Sequence, residues 1–265
     1  MPTIADISEL LIELGLSASV SETDRALAQQ SLIKAEGAVK RCLLYDPVQA
    51  SRTEYYPNQD FTRTGREAIW EANDTHAYLR HLAEASTIEL QVRHLPIRSI
   101  TSLHIDYDGR AGTRSGAFGS ETAKTEGTDF WPNYDSLDSD GNKVCTDGIL
   151  RSEGLWPATA GSVKIVYTAG YTQAELRGAE SVLDASPIWE AVLDEAVRRF
   201  TKAKQRMTRG RAGFTGPLTS ESLGDYSYSA DSAMLTRLVG GGMDVLPETE
   251  QKLSSFINYG VAMAS

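Results

Sequence analysis

The stretch Gly161-Ser162-Val163-Lys164-Ile165-Val166-Tyr167-Thr168-Ala169-Gly170-Tyr171-Thr172 carries a clear strand-and-turn pattern. From Ser162 to Tyr167 the side chains alternate in character, which is typical of a half-buried β-strand. Gly170 then interrupts the run, as expected where an extended segment turns. The residues on either side of this strand indicate which elements precede and follow it in the fold.

A long amphipathic helix is predicted after the strand. Ser186 is suited to cap its N-terminus, and Pro187 fits the first helical position, where a missing N–H costs nothing. A wide apolar face follows over four turns, formed by Ile188, Trp189, Val192, Leu193, Ala196, Val197, Phe200 and Ala203. Acidic residues come first and basic residues last, which matches the helix dipole.

Beyond this helix the chain is rich in glycine. Residues 210–216 begin and end with glycine and predict a flexible break, and Gly240-Gly241-Gly242 predicts a hinge. Ser222 to Ser229 is expected to form a short extended segment. Pro247 to Asn258 is predicted to be a last short helix, because proline is favoured at a first helical position.

Short β-rich runs precede the strand. Ile88 to Val92 alternates apolar and polar residues, and Ile97 to Tyr107 forms a longer run that ends at the turn signal Asp108-Gly109. Residues 108–148 are rich in Gly, Ser and Thr and contain few aliphatic residues. We expect them to form long loops or hairpins that project from a small antiparallel sheet.

Two helices are predicted at the N-terminus. Residues 5–14 are rich in helix formers and stop at Gly15. Ser21 is suited to cap a second helix that ends at Asp46-Pro47. Its apolar stripe consists of Ala28, Leu32, Ala35, Val39 and Cys42. Because Cys42 lies on that stripe, we expect a small core residue rather than a reactive thiol.

These patterns predict an α+β fold in which a helical bundle, formed by N- and C-terminal helices, carries an inserted antiparallel β domain. The predicted parts are N-terminal helices over 1–45, a β-rich domain with long loops over 46–175, and a long helix over 176–212 that completes the bundle. Residues 213–265 are predicted to be a flexible C-terminal docking segment with a short terminal helix.

Composition narrows the class of protein. The 265 residues include 36 acidic and 26 basic side chains, for a net charge of −10. This acidity argues against a general nucleic-acid binder, which needs clustered Lys and Arg. No apolar run approaches the roughly 20 residues of a membrane helix, and the first residues lack a secretory signal. With two cysteines only, we expect a protein made in the cytoplasm with reduced thiols.

Common catalytic and cofactor-binding motifs are absent from the sequence. The sequence contains no phosphate-binding loop, dinucleotide fingerprint or nucleophile elbow, and its histidines show no His-Glu-x-x-His pattern and have no cysteine partners at zinc spacing. We therefore expect no enzyme activity, cofactor or metal site. The histidines are His76, His81, His94 and His104. His94 and His104 are expected to be ordinary sheet-surface residues, and the alternative is a general base among the four.

Two acidic stretches invite a functional interpretation. Asp138-Ser139-Asp140-Gly141-Asn142 resembles the start of a calcium loop, but Lys143 and Ile149 stand where an EF-hand needs Gly and Glu, so a polar hairpin turn is favoured. In the segment from Asp129 to Asp135, aromatic residues and carboxylates together would suit sugar binding or glycoside hydrolysis. The alternative is a loop anchored by its aromatic side chains.

Residues 198–211 form a basic stretch without an acidic residue. Its cations are Arg198, Arg199, Lys202, Lys204, Arg206, Arg209 and Arg211. One interpretation is contact with phosphates, and the other is the solvated end of an amphipathic helix. In an acidic protein such a stretch is also suited to register a protein partner.

The order of several motifs resembles the family of tailed-phage head–tail connector proteins, also called adaptor or head-completion proteins. The 161–172 stretch is similar to that family's strand-and-turn signature, and Trp156-Pro157 and Pro96-Ile97-Arg98-Ser99-Ile100 are similar to motifs that precede it. The other motifs in the same order are an opening helix from Thr23 to Leu43, the long helix from Pro187, the segment from Ser220 to Ser229, and a closing Leu-Pro and helix from Leu246 to Phe256. The spans 46–88 and 108–148 are longer than in compact members, which indicates an enlarged β domain.

The resemblance implies a structural protein of the virion at the head–tail interface. Connectors of this family form a ring, typically of twelve copies, that docks on the portal protein and extends the channel for double-stranded DNA without reading its sequence. The other face of the ring receives a tail stopper, tube or nozzle protein. The implied localisation is the virion, and no membrane contact is implied.

The resemblance also suggests surfaces for assembly. The portal-docking residues are expected to be Leu246, Pro247, Leu253, Phe256, Ile257 and Tyr259. A strand-pairing or inter-subunit contact is expected at Leu223, Tyr226 and Tyr228. The basic stretch is expected to meet an acidic face of the portal or to line the lumen, and the loops of 108–148 to face the tail or a neighbouring subunit. The alternatives are another tail-completion or tail structural protein, or a carbohydrate-binding or hydrolysing module.

Overall fold

The computed structural model describes residues 3–16, 20–57, 88–157, 159–179, 182–211, 220–223, 226–229 and 245–258. The fold is α+β, with helices and antiparallel sheets. The chain divides into two compact units. The helical unit comprises Met1–Leu43 and Ala185–Ile257, and the β unit comprises Leu44–Asp184 and Asn258–Ser265.

The described residues contain five α-helices: α1 (Ile7–Glu13), α2 (Glu22–Leu43), α3 (Gln173–Leu176), α4 (Ser186–Arg211) and α5 (Pro247–Leu253). Short 3₁₀ turns occur at Arg110–Gly112, Ser120–Thr122 and Ser254–Phe256. Helices α1, α2, α4 and α5 belong to the helical unit, and α3 belongs to the β unit.

Local sequence explains the helix ends. Glu9 accepts a hydrogen bond from the Asp6 N–H at 2.6 Å, and α1 is followed by Gly15 with φ of 64°. The Ser21 hydroxyl accepts from the Asp24 N–H at 3.1 Å, which confirms the predicted cap of α2. Helix α2 ends before the predicted stop at Asp46-Pro47, because Leu44 already adopts a left-handed φ of 68°.

Helix α4 lies at the centre of the helical unit, where it contacts α1, α2 and α5. Its N-terminal half is buried on nearly every side, including the consecutive residues Ala191, Val192 and Leu193. From Thr201 to Met207 every residue except Ala203 is exposed. The helix continues through Gly210 to Arg211, so the break predicted at residue 210 is wrong at its first two positions.

The described strands are β1 (Ala50–Tyr56), β2 (Ile88–Gln91), β3 (Ile97–Ile105), β4 (Ala123–Lys124), β5 (Phe130–Pro132), β6 (Ser136–Leu137), β7 (Lys143–Val144), β8 (Ile149–Ser152), β9 (Val163–Ala169), β10 (Ser220–Leu223) and β11 (Tyr226–Ser229). The main sheet has the order β1-β9-β3-β4 and is antiparallel throughout. A second sheet has the order β2-β8-β5, and β6 pairs with β7.

Strand β9 forms the centre of the main sheet. Val163, Ile165, Tyr167 and Ala169 are all fully buried, and the residues between them are half-buried. This alternation is the one that the sequence predicts. The glycine-rich residues 108–148 contain short strands and 3₁₀ turns rather than continuous loops, because Asp side chains and positive-φ glycines close a series of tight turns.

Candidate assembly surfaces

Two motifs of the connector resemblance meet in the main sheet. The Pro96–Ile100 motif forms the start of β3, and β3 pairs with β9 from Ile97 opposite Ala169 to Ile105 opposite Val163. Arg98 extends from β3 to the turn after β9, where its Nε donates to the Gly170 carbonyl at 3.1 Å. Its guanidinium also donates to Glu175 in α3. One arginine therefore joins both motifs.

The Arg98–Glu175 pair is almost completely buried, with 8% and 1% of the two side chains exposed. Glu175 also accepts the Thr172 N–H at 2.8 Å, and the Thr172 hydroxyl accepts from the Glu175 N–H at 3.2 Å. This reciprocal arrangement is a capping box that starts α3 directly after the Tyr-Thr-Ala-Gly-Tyr turn. The turn is thus held from both sides.

The glycines that bound β9 are required by their surroundings. Gly161 has φ of 69°, and its carbonyl accepts the Ala111 N–H at 2.7 Å. Gly170 has φ of 107°, and a Cβ there would lie 2.6 Å from the Val48 carbonyl carbon. Both a left-handed backbone and close approach of another segment exclude a side chain at these positions.

A network of hydrogen bonds around one buried carboxylate joins side chains of β1 and β9. Glu54 accepts hydrogen bonds from the hydroxyl groups of Tyr56 and Tyr167, the latter at 2.7 Å. Its other oxygen lies 2.5 Å from His94 Nδ1. The Tyr56 and Tyr167 hydroxyls in turn accept the N–H groups of Arg93 and His94 at 2.7 and 3.1 Å. The network therefore fixes the backbone that connects β2 to β3.

Burial opposes ionisation of Glu54, but the hydrogen bonds from His94, Tyr56 and Tyr167 outweigh it, and the pKa of Glu54 is lowered. Burial, together with the Glu54 charge, raises the pKa of both Tyr56 and Tyr167. The tyrosines therefore stay protonated donors at neutral pH. Only 13% of the Glu54 side chain and 15% of the His94 side chain are exposed, so the arrangement is suited to holding the sheet.

The prediction of a sheet-surface role is wrong for His94, which lies between β2 and β3 and is paired with Glu54. His104 lies in β3, and its Nδ1 is 3.1 Å from the Thr122 hydroxyl. His76 and His81 lie outside the described residues.

The acidic stretches hold tight turns. Asp138 accepts the N–H groups of Asp140 and Asn142 at 3.0 and 2.8 Å, which forms the polar turn between β6 and β7 that the sequence predicts. Asp129 accepts the Thr125 N–H at 2.7 Å, and Asp135 accepts the Thr146 N–H at 2.7 Å. Both carboxylates of the proposed sugar site thus have structural partners in these turns.

Both cysteines are free thiols. Cys145 is buried, and burial together with the hydrogen bond to Asp147 raises its pKa to about 12. Burial also raises the pKa of Cys42, which lies half-buried on α2 as its position on the apolar stripe predicts. Within the described residues, no group of three or more His, Cys, Asp or Glu side chains is arranged to hold a metal ion.

The predicted portal-docking segment is already folded against the helical unit. Leu253 is fully buried, and Lys252 on the other side of α5 contacts Asp194 of α4 at 2.7 Å. The remaining described residues of this set are at least partly accessible: Leu246, Pro247, Phe256 and Ile257. Tyr259 lies outside the described residues. The short helix predicted from Pro247 is thus present as α5 and packs within the helical unit.

Asn258, the last described residue, is held within the β unit by its side-chain amide. Its side-chain amide donates to the carbonyls of Val92 and Arg93, both at 2.9 Å, and its oxygen accepts from Gln91 Nε2 at 2.9 Å. Only 1% of Asn258 is exposed. Both N–H groups and the oxygen of the Asn258 amide are thus hydrogen-bonded inside the β unit.

The predicted extended segment is a hairpin. β10 pairs with β11 from Ser220 opposite Ser229 to Leu223 opposite Tyr226. The expected strand-pairing residues Leu223, Tyr226 and Tyr228 therefore face partners within the hairpin itself, and any pairing with a second subunit would use an outer edge.

The basic stretch is only partly free. Glu195 is fully buried, and it accepts hydrogen bonds from Arg198 Nε and Arg199 Nε, both at 2.8 Å. Lys204 donates to Asp24 of α2. Lys202 and Arg206 are exposed and have no ion-pair partner among the described residues. The backbone of positions 209 and 211 continues the helix.

Comparison with protein-family models gives no match, and no curated protein matches the chain. Within the described part of the chain, no helix is both long and apolar enough to cross a membrane.

Several residues that organise the structure were not found from the sequence. Glu54, Tyr56 and Tyr167 have no signal because their partners lie far away along the chain. Arg98 and Glu175 belong to quoted motifs or follow them closely, and the Thr172-x-x-Glu175 capping pattern was a readable signal for α3.

Proposed function

We propose that this protein is a head–tail connector of a tailed phage, a structural adaptor that forms a ring below the portal and extends the DNA channel to the tail. The observation that carries the proposal is the Arg98 junction. Motifs that resemble the family signature, far apart along the chain, are adjacent strands joined by one buried arginine. The motifs that are separated along the chain thus lie together in one sheet.

The proposed architecture is a helical bundle built from both ends of the chain, with the β unit inserted between them. Helices α1 and α2 and helices α4 and α5 belong to one compact unit, which supports this arrangement. In a ring, each subunit presents different surfaces to its two neighbours, and a repeated rotation closes the contact. Twelve copies are the number that the resemblance suggests.

The proposal assigns portal docking to the accessible side of α5 and to residues 259–265. Two truncations separate these parts. Ending the chain after Asn258 keeps Leu253 and the Asn258 amide contacts, whereas ending it after Gly242 removes both. We expect the first truncation to fold and to bind the portal more weakly. Unchanged portal binding by the chain that ends after Gly242 would remove this segment from the docking surface.

Light scattering and negative-stain imaging test the function itself. The full-length protein is measured alone and after mixing with the portal protein of the same phage. We expect a portal-bound ring. A protein that ignores the portal but joins isolated tails would instead be a tail-completion protein, and binding or cleavage on a glycan array would favour the carbohydrate module.

A further inference from the structure

We propose that one face of the C-terminal half of α4 is a contact surface for the phosphate backbone of double-stranded DNA. This face, called the cationic stripe below, consists of positions 198, 199, 202 and 206. The inference deepens the proposed connector function and rests on it for the presence of DNA.

Helical geometry places these positions together. At about 100° per residue, Lys202 and Arg206 lie about 40° apart around the helix, and Arg198 and Arg199 lie on either side of them. Lys204 falls on the opposite face, where its ammonium group is held by Asp24. The stripe is therefore a linear array of cationic positions, with successive positions about 4.5–6 Å apart along the axis.

The surroundings leave the distal part of the stripe open. From Thr201 to Met207 every residue of the helix except Ala203 is exposed, and the contact of Lys204 with Asp24 lies on the opposite face. Lys202 and Arg206 are exposed without an ion-pair partner among the described residues. By contrast, Arg198 and Arg199 are held by the buried Glu195, which fixes the proximal end of the stripe.

Charge complementarity favours a phosphate chain as the occupant. Negative charge dominates elsewhere, since residues 44–184 contain 21 acidic and 13 basic side chains. DNA is repelled by such a surface and attracted only locally by the stripe. A linear polyanion matches a linear row of cations better than a rounded acidic protein face does. Two or three phosphate contacts of this kind bind weakly and without sequence preference, which suits a channel through which DNA must pass.

The test uses the full-length protein and a fluorescent 30-base-pair duplex of random sequence, with anisotropy measured from about 50 to 200 mM salt. The test variant is Lys202→Gln with Arg206→Gln, because Gln keeps helix propensity similar to that of Lys and Arg. The matched control is Arg25→Gln with Lys34→Gln, which removes two exposed cations from α2 of the same unit. Circular dichroism checks that both variants are folded.

We expect the wild-type protein and the control to bind, with affinity that falls as salt rises. Loss of two phosphate contacts should reduce the slope of log affinity against log salt by about 1.8 and weaken binding roughly tenfold per contact at the lowest salt. Equal effects of the two variants, or no binding by the wild-type protein, would overturn the proposal.

Portal binding by the same variants separates this proposal from the connector function. If the wild-type protein forms a portal-bound ring but does not bind DNA, the connector function stands and the DNA contact is wrong. If the Lys202 and Arg206 substitutions weaken ring formation and leave DNA binding unchanged, the stripe contacts an acidic protein face instead. Absence of both ring formation and DNA binding would overturn both proposals.

Discussion

Replacing Arg98 tests whether the motif junction determines the stability of the β unit. Arg98→Met removes the guanidinium and leaves the Glu175 carboxylate buried, with only 1% of its side chain exposed. A buried charge that loses its partner costs about 3–5 kcal/mol. For a unit of this size, such a loss lowers the melting temperature by roughly 10–15 °C. Urea unfolding followed by circular dichroism measures the free-energy change directly.

A second substitution shows whether the cost comes from the unpaired charge. Glu175→Gln added to Arg98→Met removes both charges, while the amide oxygen can still accept the Thr172 N–H that Glu175 holds at 2.8 Å. Replacing both members of a buried ion pair is much less costly than breaking it. We therefore expect the double variant to be about 2 kcal/mol more stable than Arg98→Met alone.

The matched control is Arg151→Met, which breaks the ion pair between Arg151 and Glu89 in the same unit. Both side chains of that pair are nearly half exposed, at 46% and 49%, so the loss should stay below about 1 kcal/mol. The reasoning is refuted if Arg98→Met costs no more than this control. It is also refuted if the double variant is less stable than Arg98→Met, because the unpaired carboxylate would then not be the cause.

Three further predictions use the β unit. Gly170→Ala should destabilise the β unit by about 3 kcal/mol or more in urea unfolding, because of left-handed strain and contact with the Val48 segment. Gly154→Ala should change the free energy of unfolding by no more than about 0.5 kcal/mol, because a Cβ at Gly154 meets nothing within 4 Å. Since the pKa of Glu54 is lowered on folding, its stabilising effect is present above its ordinary pKa of 4.5 and is lost as the pH falls through the lower folded value. In an acid titration, the stability of Glu54→Gln should therefore depend less on pH below 4.5 than the stability of the wild-type protein does. An unchanged profile would contradict the assignment. Cys145, with its pKa raised to about 12, should react with iodoacetamide at pH 8 only after unfolding, and rapid labelling of the native protein, located by mass spectrometry, would argue against its burial.

The sequence predicted those elements whose pattern is local. Strand β9 and helix α4 have regular alternation or a continuous apolar face, and the structure confirms both. The Ser21 cap was predictable for the same reason, because its hydrogen bond to the Asp24 N–H spans only three residues. The division into helix-rich and β-rich parts follows from the same change of period along the chain.

The remaining features depend on contacts that no local pattern encodes. Glu54 meets His94 and Tyr167 only because β1 and β9 are neighbours in the sheet, and these residues lie 40 and 113 positions away. The same is true of Asn258, whose partner Gln91 is 167 positions distant. The charge of the basic stretch was read correctly from composition, whereas the pairing of Lys204 with Asp24 depends on the packing of α4 against α2.

The residues that carry the family resemblance make contacts inside the β unit. They therefore bear on the fold and not directly on binding to a partner. Gly161, Gly170 and Arg98 are bound to backbone or to buried groups of the β unit, so none of them is free to contact another molecule. Under the proposed function, any contact with a partner would therefore use surfaces outside the motif. The exposed cations Lys202 and Arg206 near the end of α4 are one such surface. Substitutions in the motif should change stability first and binding only as a consequence, whereas substitutions at Lys202 and Arg206 should change binding while stability stays the same.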